Sequence, residues 1–452
     1  MENTNTKKKL FVKTWGCQMN VYDSRRMSDV LRPLGYETVD APEGADMVIL
    51  NTCHIREKAT DKVFSELGRL REHKQDKEKS GGQMILAVAG CVAQAEGDVI
   101  TDRAKYVDMV IGPQVYHELP EMIAKITGAY GRERIINTDF PTEEKFDRLQ
   151  GENADQGPSG FLSIQEGCDK FCTFCVVPYT RGAEFSRNVA GILDEAKRLA
   201  DMGTMDITLL GQNVNGFHGT GPDGKIWSLG RLLESLSEID GIKRLRYMTS
   251  HPRDVDDELI EAHRNLPKVM PFLHLPVQSG SDKILKIMNR KHTSDFYREI
   301  IAKFRDARPD MAFSSDFIVG FPSETDQDFE DTMSLVRDVN YAQCYSFKYS
   351  ARPGTPAANM QNLVPEKVKT ERLARLQELL VQQQRNFNQS CKDRVLPVLF
   401  DGYKPESGML HGRTEYNQLI YVQDSQDFYG KIQDVLITRG TPNTVIGEII
   451  NK

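Results

Sequence analysis

The sequence predicts an α/β protein in three parts: an N-terminal open parallel α/β sheet, a central incomplete (β/α)6 TIM-like barrel and a small C-terminal OB-like β-barrel. Three observations predict this class. Short apolar runs alternate with helix-period stretches up to about residue 128, the alternation resumes near residue 161, and from about residue 395 strand-like runs follow one another directly. The length of 452 residues also exceeds the roughly 250 that one core usually supports, so several domains are expected.

The first part contains apolar runs of strand length. Stretches with apolar residues at helical spacing, such as Val63, Leu67 and Leu70, separate them. Repeated βα units form parallel sheets with helices on both faces. We therefore predict a domain over residues 9–128, followed by a polar linker over 129–153. The predicted strands are 10–15, 46–50, 84–89 and 108–111.

The second part, predicted over residues 154–385, carries six strand candidates separated by helical segments. Six βα units are two fewer than a complete TIM barrel contains, which favours an open or incomplete barrel. A long helix over 365–391 begins with a proline and joins this part to the last one. The strand candidates are 161–165, 206–210, 244–248, 272–275, 312–319 and 344–349, and the clearest helices are 192–202, 257–266 and 296–307.

The last part, residues 387–452, consists of short strands broken by Gly, Pro and Asn turns, a pattern typical of a small OB-like barrel. Such barrels often bind RNA. Charge does not support that interpretation, because eight acidic residues oppose seven basic ones, and a barrel for an unspecified ligand stays an alternative. The basic residues are Lys392, Arg394, Lys404, Arg413, Lys431, Arg439 and Lys452.

Composition limits the function classes. A net charge of -7 argues against coating nucleic acid by bulk electrostatics, although a local basic stripe could still bind RNA. No apolar run approaches the roughly 20 residues of a membrane span, so no membrane partner is expected. The first residues do not resemble a secretory signal, so we expect a cytoplasmic protein. In a reducing compartment, clustered cysteines are more often metal-binding or catalytic than disulfide-bonded.

Three of the eight cysteines form a C-x3-C-x2-C motif, with Cys168, Cys172 and Cys175 in the loop after the first barrel strand. Active sites of parallel barrels lie at that carboxyl end. Three thiolates can bind three irons of a [4Fe–4S] cube and leave the fourth open to another ligand. A structural zinc site is the alternative, but it needs a fourth Cys or His nearby, and this loop contains none.

Three further cysteines follow strands of the first part. Cys17, Cys53 and Cys91 each stand at the carboxyl end of a predicted parallel strand, 36 and 38 residues apart. Because this edge of an open α/β sheet is its ligand-binding edge, the three thiolates are expected to meet and to hold a second cluster. The alternative is three buried cysteines that act as small hydrophobes, which is our interpretation of Cys344 and Cys391.

The cysteine spacing, with Phe174 before the third cysteine, resembles the radical S-adenosylmethionine superfamily, whose three-cysteine loop holds a [4Fe–4S] cluster with one iron open to S-adenosylmethionine. Further matches at strand ends are GQNVNGF (211–217), HLPVQSGS (274–281) and SDFIVGFPSET (315–325). Their glycines and small polar residues allow a ligand to approach the backbone closely. The resemblance implies S-adenosylmethionine contacts from Phe174, Gly211, Gln212, Asn213, Gln278, Ser279 and Gly320.

Nearly the whole chain resembles the methylthiotransferase family, with a three-cysteine N-terminal domain, a radical S-adenosylmethionine domain and a C-terminal TRAM domain. The motifs TWGCQMN, LLGQNVN, TRGAEFSR, HLPVQSGSDKILKIMNRKHT and YSARPGTPA look like the branch that acts on tRNA carrying N6-dimethylallyladenosine. Relatives that act on another modified adenosine or on a protein side chain remain the alternative. A non-catalytic iron–sulfur or zinc RNA-binding module is the third hypothesis.

The resemblance implies methylthiolation of carbon 2 of that adenosine, next to the anticodon. Acid–base catalysis cannot remove a hydrogen that is neither acidic nor easily displaced, so a radical is required. The family uses two [4Fe–4S] clusters with three cysteines each, and two S-adenosylmethionine molecules, one as methyl donor and one as radical source. The implied partners are the tRNA anticodon stem-loop, an electron donor such as a flavodoxin or ferredoxin, and an iron–sulfur carrier. Arg181 and Arg187 are expected to contact the stem-loop.

Overall fold

The computed structural model describes residues 7–53, 59–128, 134–141, 145–148, 156–423 and 426–450. The chain divides into two compact units, each of which is described by itself. Unit 1 consists of Met1–Ala154 together with the short segment Val176–Glu184. Unit 2 consists of Asp155–Cys175 and Phe185–Lys452. The nine residues after the second cysteine group therefore belong to the N-terminal unit, which the sequence did not indicate.

Unit 1 contains a six-stranded sheet in which every pairing is parallel. Its strands are β1 Lys8–Trp15, β2 Tyr36–Thr38, β3 Met47–Thr52, β4 Ile85–Gly90, β5 Met109–Ile111 and β6 Ile135–Asn137, in the order β2-β1-β3-β4-β5-β6. The predicted N-terminal parallel sheet is thereby confirmed.

Helices cover both faces of this sheet. Along β3, Met47 and Ile49 join one buried apolar cluster, whereas Val48 and Leu50 join another, because successive side chains of a strand point to opposite faces. Every residue of β3 and β4 is buried, which explains their continuous apolar character. The helices are α1 Gln18–Leu31, α2 Ala59–Lys79, α3 Cys91–Glu96, α4 Asp98–Arg103, α5 Leu119–Thr127, α6 Lys145–Arg148 and α7 Val177–Arg181.

The range 129–153, predicted as a linker, contains strand β6, which the sequence did not predict. Ile135, Ile136 and Asn137 pair in parallel with β5 and extend the sheet by one strand. None of the three is fully buried, and three residues are too few to produce a periodic signal in the sequence. The rest of that range includes 129–133, 142–144 and 149–153, which lie outside the described residues.

Unit 2 begins with the six predicted parallel strands, which form two hydrogen-bonded groups of three, β11-β10-β7 and β12-β13-β14. Their bounds are β7 Ser159–Ser163, β10 Asp206–Leu210, β11 Arg244–Tyr247, β12 Phe272–His274, β13 Ala312–Val319 and β14 Gln343–Lys348, and a short hairpin adds β8 Gln165–Glu166 and β9 Phe185–Ser186. This arrangement confirms the predicted incomplete barrel.

The helices that alternate with these strands start at side-chain caps. In each case an oxygen of the residue before the helix accepts a hydrogen bond from a backbone N–H of the first turn, which fixes where the helix begins. The capping residues include Asn188, Ser228, Asp256, Ser281, Thr293 and Thr325. The capped helices are α8 Val189–Asp201, α9 Leu229–Ser237, α10 Asp257–Asn265, α11 Asp282–Ile287, α12 Ser294–Ala307 and α13 Asp326–Val339. The last helix, α14 Glu366–Ser390, follows Pro365 and has no side-chain cap.

A closed five-stranded barrel follows α14 and confirms the OB-like prediction. The strands run in the order β15-β16-β17-β19-β18, and β18 pairs back onto β15. Their bounds are β15 Val395–Lys404, β16 Met409–Thr414, β17 Leu419–Gln423, β18 Ile432–Gly440 and β19 Val445–Ile449. Among the described helices of the whole chain, none combines the length and the apolar character needed to cross a membrane.

Buried arginines attach this small barrel to the parallel strands of unit 2. Arg246 of β11 donates hydrogen bonds to the carbonyl oxygens of Thr414 and Glu415, at 2.8 and 2.9 Å, and pairs with Asp206 at 3.0 Å. Arg244 donates to two further barrel carbonyls, each at 2.8 Å. Since a buried cation needs this full set of partners, the two arginines fix the barrel on the edge of the strands.

Candidate functional site

The N-terminal cysteines lie at one edge of the parallel sheet. The register pairs Trp15 of β1 with Thr52 of β3, and Thr52 with Gly90 of β4. Cys53 and Cys91 are the next residues after the last two of these positions, and Cys17 follows Trp15 by two residues. Adjacent strands thus bring the three thiols to the same carboxyl edge, as the sequence predicted.

Two glycines let the backbone turn at these strand ends. Gly16 has a φ of +132°, and a Cβ built on it would lie 2.3 Å from the Cβ of Cys53. Gly90 has a φ of +87°, and its Cβ would lie 2.3 Å from the Oδ1 of Asn51. Any larger residue would collide and would also be strained, because positive φ values disfavour side chains. Glycine is therefore required immediately before Cys17 and Cys91.

A buried amide network supports the same edge. Asn20 Nδ2 donates to Asn51 Oδ1 at 3.0 Å, and Asn51 Nδ2 donates to the Asn20 carbonyl oxygen at 2.8 Å and to Ser24 Oγ at 2.9 Å. The Cys17 thiol in turn donates to Asn20 Oδ1 at 3.1 Å. Buried amides with satisfied hydrogen bonds hold one geometry, so this network fixes the start of α1 relative to β3.

The electrostatics of this edge favour thiolate at Cys17. A hydrogen bond from Cys53 lowers the pKa of the Cys17 thiol to about 6, and the nearby Arg181 guanidinium acts in the same direction. Burial raises the pKa of Cys91, and the positive charge of Arg181 opposes that effect. Arg181 belongs to α7, is buried, and forms an ion pair with Asp23 at 2.6 Å. Thiolate is the form that binds iron.

The second group, Cys168, Cys172 and Cys175, lies in the loop between β8 and α7. Gly167 before the first cysteine again has a positive φ, at +71°. The loop is held by the residues after α11. Asn289 Nδ2 donates to the carbonyl oxygens of Phe171 and Lys170, at 2.9 and 3.2 Å, and other bonds join Thr173 to that segment.

Arg290 contacts the middle cysteine of this loop. Its guanidinium donates to the Cys172 sulfur at 3.4 Å and to the carbonyl oxygen of Pro276, and its side chain is buried. Phe174 packs edge-on against Phe321, with ring centroids 6.4 Å apart. Phe174 therefore anchors the loop in an apolar cluster, whereas Arg290 brings a permanent positive charge to a sulfur.

The predicted residues after β10 hydrogen-bond to the base of the same loop. Gln165 Oε1 accepts hydrogen bonds from the backbone N–H groups of Gln212 and Asn213, at 2.8 and 3.0 Å. Gln212 Oε1 accepts from the N–H of Gly167 at 2.6 Å. A Cβ on Gly211 would lie 2.5 Å from Gln165 Oε1, so only glycine fits there. These contacts connect the 211–213 segment to the first cysteine of the loop.

The other predicted S-adenosylmethionine contacts lie at the ends of β12 and β13. Gln278 adopts a φ of +77°, and its N–H donates to the Asp316 carbonyl oxygen at 2.9 Å. Ser279 is buried and bonds to Thr332 within the fold. Gly320 has a φ of +70° and packs against Lys369 of α14. Ser279 and Gly320 thus have structural contacts of their own at this edge.

Both cysteine groups suit an iron–sulfur cluster by the chemistry of their donors. Among the described residues, no three His, Cys, Asp or Glu side chains converge closely enough to hold a single metal ion. The ligands of a four-iron cube bind different irons and so stand farther apart than those of one ion. Glycines beside the thiols leave room for the cluster. An arginine N–H donates to a sulfur in the second group, and the Arg181 cation acts to lower the pKa of Cys91 in the first.

Comparison with known proteins identifies the family. Residues 9–112 match the model described as uncharacterized protein family UPF0004, residues 162–336 the radical SAM superfamily and residues 389–450 the TRAM domain. A tRNA-2-methylthio-N(6)-dimethylallyladenosine synthase of Maricaulis maris is 57% identical over 99% of this chain and 98% of its own length. The enzyme of that name from Rickettsia felis is 56% identical over 98% and 100%. The chain belongs to this synthase family.

Solved structures share the fold of this chain at low sequence identity. The radical S-adenosylmethionine methyltransferase TsrM from Kitasatospora setae matches with a TM-score of 0.55 and 12% identity, over 78% of this chain and 74% of its own. The radical enzyme OxsB matches with a TM-score of 0.51 and 13% identity, over 83% and 56%. The likeness extends well beyond the incomplete barrel, because it covers more than three quarters of this chain.

The expectation that Arg181 and Arg187 contact RNA is wrong. Both side chains are buried in ion pairs, Arg181 with Asp23 and Arg187 with Glu195 at 2.8 Å. The sequence suggested surface cations because Asp23 lies 158 residues from Arg181, and no local pattern announces the pair. These two arginines therefore lie inside the protein.

Sequence reasoning missed several residues that position the cysteines. Arg290, Asn289 and Gln165 hold the barrel loop, and the amide pair of Asn20 and Asn51 holds the N-terminal edge. The sequence does contain one signal for the turns that position the cysteines. The dipeptide Gly-Cys occurs at 16–17, 90–91 and 167–168, each time with a left-handed glycine, and so marks three of the six cysteines of the synthase as turn positions.

Proposed function

We propose that this protein is a radical S-adenosylmethionine tRNA methylthiotransferase that adds a methylthio group to carbon 2 of N6-dimethylallyladenosine next to the anticodon. The observation that carries the proposal is the presence of two separate three-thiol sets, each at the carboxyl edge of parallel strands. One such set is enough to bind one cluster. Two sets fit a reaction that needs both a radical and a sulfur donor. The relatives of this name, which match the full chain, support the same conclusion.

In this proposal the three predicted domains, 9–128, 154–385 and 387–452, have separate roles, and each of the first two holds one cluster. Cys168, Cys172 and Cys175 hold a [4Fe–4S] cluster that binds S-adenosylmethionine, and Cys17, Cys53 and Cys91 hold a second. When bound, these groups supply the 5′-deoxyadenosyl radical, the methyl group and the sulfur. The S-adenosylmethionine contacts are Phe174, Gly211, Gln212, Asn213, Gln278, Ser279 and Gly320.

The protein's own residues orient these groups. Gly16 and Gly90 leave room beside the N-terminal thiols, and Gly211 leaves room beside the loop of the second set. Arg181 and Arg290 each place a cation at a sulfur, which favours the thiolate form needed for binding iron. Such supporting contacts commonly tune the affinity and the potential of a metal centre.

The partners follow from the chemistry. The substrate is the anticodon stem-loop of tRNA, whose unpaired bases are accessible to stacking and edge recognition. Radical generation needs an external electron, for which a flavodoxin or ferredoxin is the proposed donor. An iron–sulfur carrier is the proposed source of the clusters. We place the protein in the cytoplasm, where the substrate tRNA is found.

The test is reconstitution followed by nucleoside analysis. The protein is loaded anaerobically with iron and sulfide, then incubated with dimethylallyladenosine-containing tRNA, S-adenosylmethionine and reductant. We expect about eight irons per chain and conversion of the nucleoside to its methylthio form by mass spectrometry. If threonylcarbamoyl-adenosine tRNA or a ribosomal protein gains the group instead, the substrate assignment is wrong. Bound zinc without sulfide would refute the enzyme proposal itself.

A further inference from the structure

A cleft of about 600 Å³ lies between the C-terminal half of α14 and the turn that joins β18 to β19. Its lining includes the side chains of Arg385, Gln389, Lys392, Arg439 and Thr441. We call it the basic cleft. No residue of the two cysteine groups or of the predicted S-adenosylmethionine contacts lines it.

The cleft is built on a rigid junction. A Cβ on Gly440 would lie 2.4 Å from the carbonyl carbon and oxygen of Asn388, so the β18–β19 turn packs directly on the backbone of α14. Asn388 Nδ2 donates to the Thr441 carbonyl oxygen at 2.7 Å, and Asn388 Oδ1 accepts from Gln418 at 2.7 Å. Close packing and hydrogen bonds therefore hold the end of β18, which carries Arg439, against the helix that carries Arg385.

The charge of this region differs from that of the chain as a whole. Residues 379–392 and 435–447 contain no Asp or Glu, although the chain has a net charge of -7. Arg385, Lys392 and Arg439 are exposed, and none forms an ion pair with a described carboxylate. Three uncompensated cations around one cleft produce a local positive potential.

We propose that the basic cleft binds a phosphate of the tRNA backbone, an inference that rests on the proposed function. Guanidinium groups match phosphate geometry through paired N–H donors, and Lys392 adds a point charge. The Gln389 amide supplies further donors. The volume lies within the roughly 300–1,000 Å³ of typical ligand sites. Because the cations of the cleft are exposed, a phosphate within a continuous RNA strand can reach them. Phosphate contacts position a nucleic acid without reading its sequence.

The test compares two charge-reversal variants of the full-length, cluster-loaded protein. Arg385→Glu/Arg439→Glu changes the basic cleft, and Lys197→Glu/Arg198→Glu makes the same charge change on the exposed face of α8. Binding of tRNA is measured by filter retention at several salt concentrations. For the cleft variant we expect Kd to rise about tenfold or more, and the slope of log K against log salt to fall by about 2. The α8 variant keeps the wild-type slope.

Circular dichroism and iron content confirm that each variant is folded and loaded, and Arg385→Lys/Arg439→Lys should retain most of the affinity. An unchanged Kd and slope in the cleft variant overturns the proposal, while wild-type methylthiolation of tRNA still supports the proposed function. If the variant loses binding of inorganic phosphate but keeps its tRNA affinity, the site is for a free anion and the RNA assignment is wrong. If wild-type protein binds no tRNA, both proposals fail.

Discussion

The two cysteine groups are built in different ways. Cys168, Cys172 and Cys175 lie within eight consecutive residues of one loop, whereas Cys17, Cys53 and Cys91 come from three strands spread over seventy-five residues. The thiols of the first group stay near one another in any fold, because Cys168 and Cys175 are only seven positions apart. The second exists only when β1, β3 and β4 pair in the observed register. One site is encoded locally, and the other depends on the fold.

This difference decides what each site needs for support. The barrel loop is fastened from outside by Asn289 and Arg290, which belong to a segment more than one hundred residues away. The N-terminal edge is already fixed by its sheet, and its supporting residues belong to the same elements, since Asn51 lies in β3 and Asn20 in α1, the helix after β1. Arg181 is the exception, because it reaches the N-terminal thiols from α7. Mutations should therefore affect the loop and the edge in different ways.

The largest effect is expected from removing one thiol of each group. Cys168→Ala should abolish formation of 5′-deoxyadenosine from S-adenosylmethionine, because the proposed radical-generating cluster loses a ligand. Cys17→Ala should keep that reaction and lose sulfur insertion into tRNA. Liquid chromatography of deoxyadenosine and mass spectrometry of tRNA nucleosides measure the two products separately.

Cys344→Ala is the control for these variants, since Cys344 lies in β14 outside both groups. It should retain both products and the full iron content. If Cys17→Ala instead loses deoxyadenosine formation while Cys168→Ala retains it, the roles of the two groups are reversed.

The next effect concerns the glycines at the N-terminal edge. In Gly90→Ala the new methyl group would lie 2.3 Å from Asn51 Oδ1 and 2.7 Å from the Thr52 carbonyl oxygen. Because backbone and a buried amide cannot move away easily, we expect unit 1 to distort next to Cys91 and to lose about half of the iron, which is the share of one of two clusters. Iron and sulfide analysis checks this outcome.

Gly35→Ala separates the clash from the strain of a left-handed residue. Gly35 has a φ of +82°, close to that of Gly90, but a Cβ there would meet nothing within 4 Å. This variant should lose some stability and keep its iron. Equal iron loss in both variants would show that strain, rather than the collision at the site, is responsible.

The sequence was sufficient for the parts of the fold that carry periodic patterns and for the loop with fixed cysteine spacing. It also located Cys17, Cys53 and Cys91 at one edge, because strand ends in a parallel sheet must align. It failed where the information is tertiary. The short strand Ile135–Asn137 owes its place to pairing with β5, and the buried partner of Arg181 is remote in sequence. The positive charge of the basic cleft was not predicted, because residues 387–452 as a whole contain nearly equal numbers of basic and acidic residues.

A smaller effect is expected at Arg181. In Arg181→Gln the buried Asp23 carboxylate loses its ion-pair partner, which typically costs about 3–5 kcal/mol of stability. The Cys91 sulfur also loses a nearby cation, so iron retention by the N-terminal cysteines should fall. Urea unfolding measures the first effect. Iron content in a Cys168→Ala/Cys172→Ala/Cys175→Ala background, which isolates the N-terminal group, measures the second.

Arg181→Gln/Asp23→Asn is the matched control, because it removes both charges of the pair. It should recover part of the stability and none of the iron retention. If the double variant regains the iron as well, Arg181 acts only through folding and has no role toward the cysteines.

The smallest effect is expected at Asn289, which fastens the barrel loop. Asn289→Ala removes the hydrogen bonds to the carbonyl oxygens of Phe171 and Lys170, at a typical cost of about 1 kcal/mol, and places alanine at a φ of +61°. Asn289→Gly removes the same hydrogen bonds without that backbone strain. If the hydrogen bonds position the loop, both variants raise KM for S-adenosylmethionine severalfold and leave the iron of the N-terminal group unchanged. If only the alanine variant is impaired, the hydrogen bonds of Asn289 are not what positions the loop. The left-handed backbone at residue 289 is then the important feature, because it orients Arg290 toward Cys172.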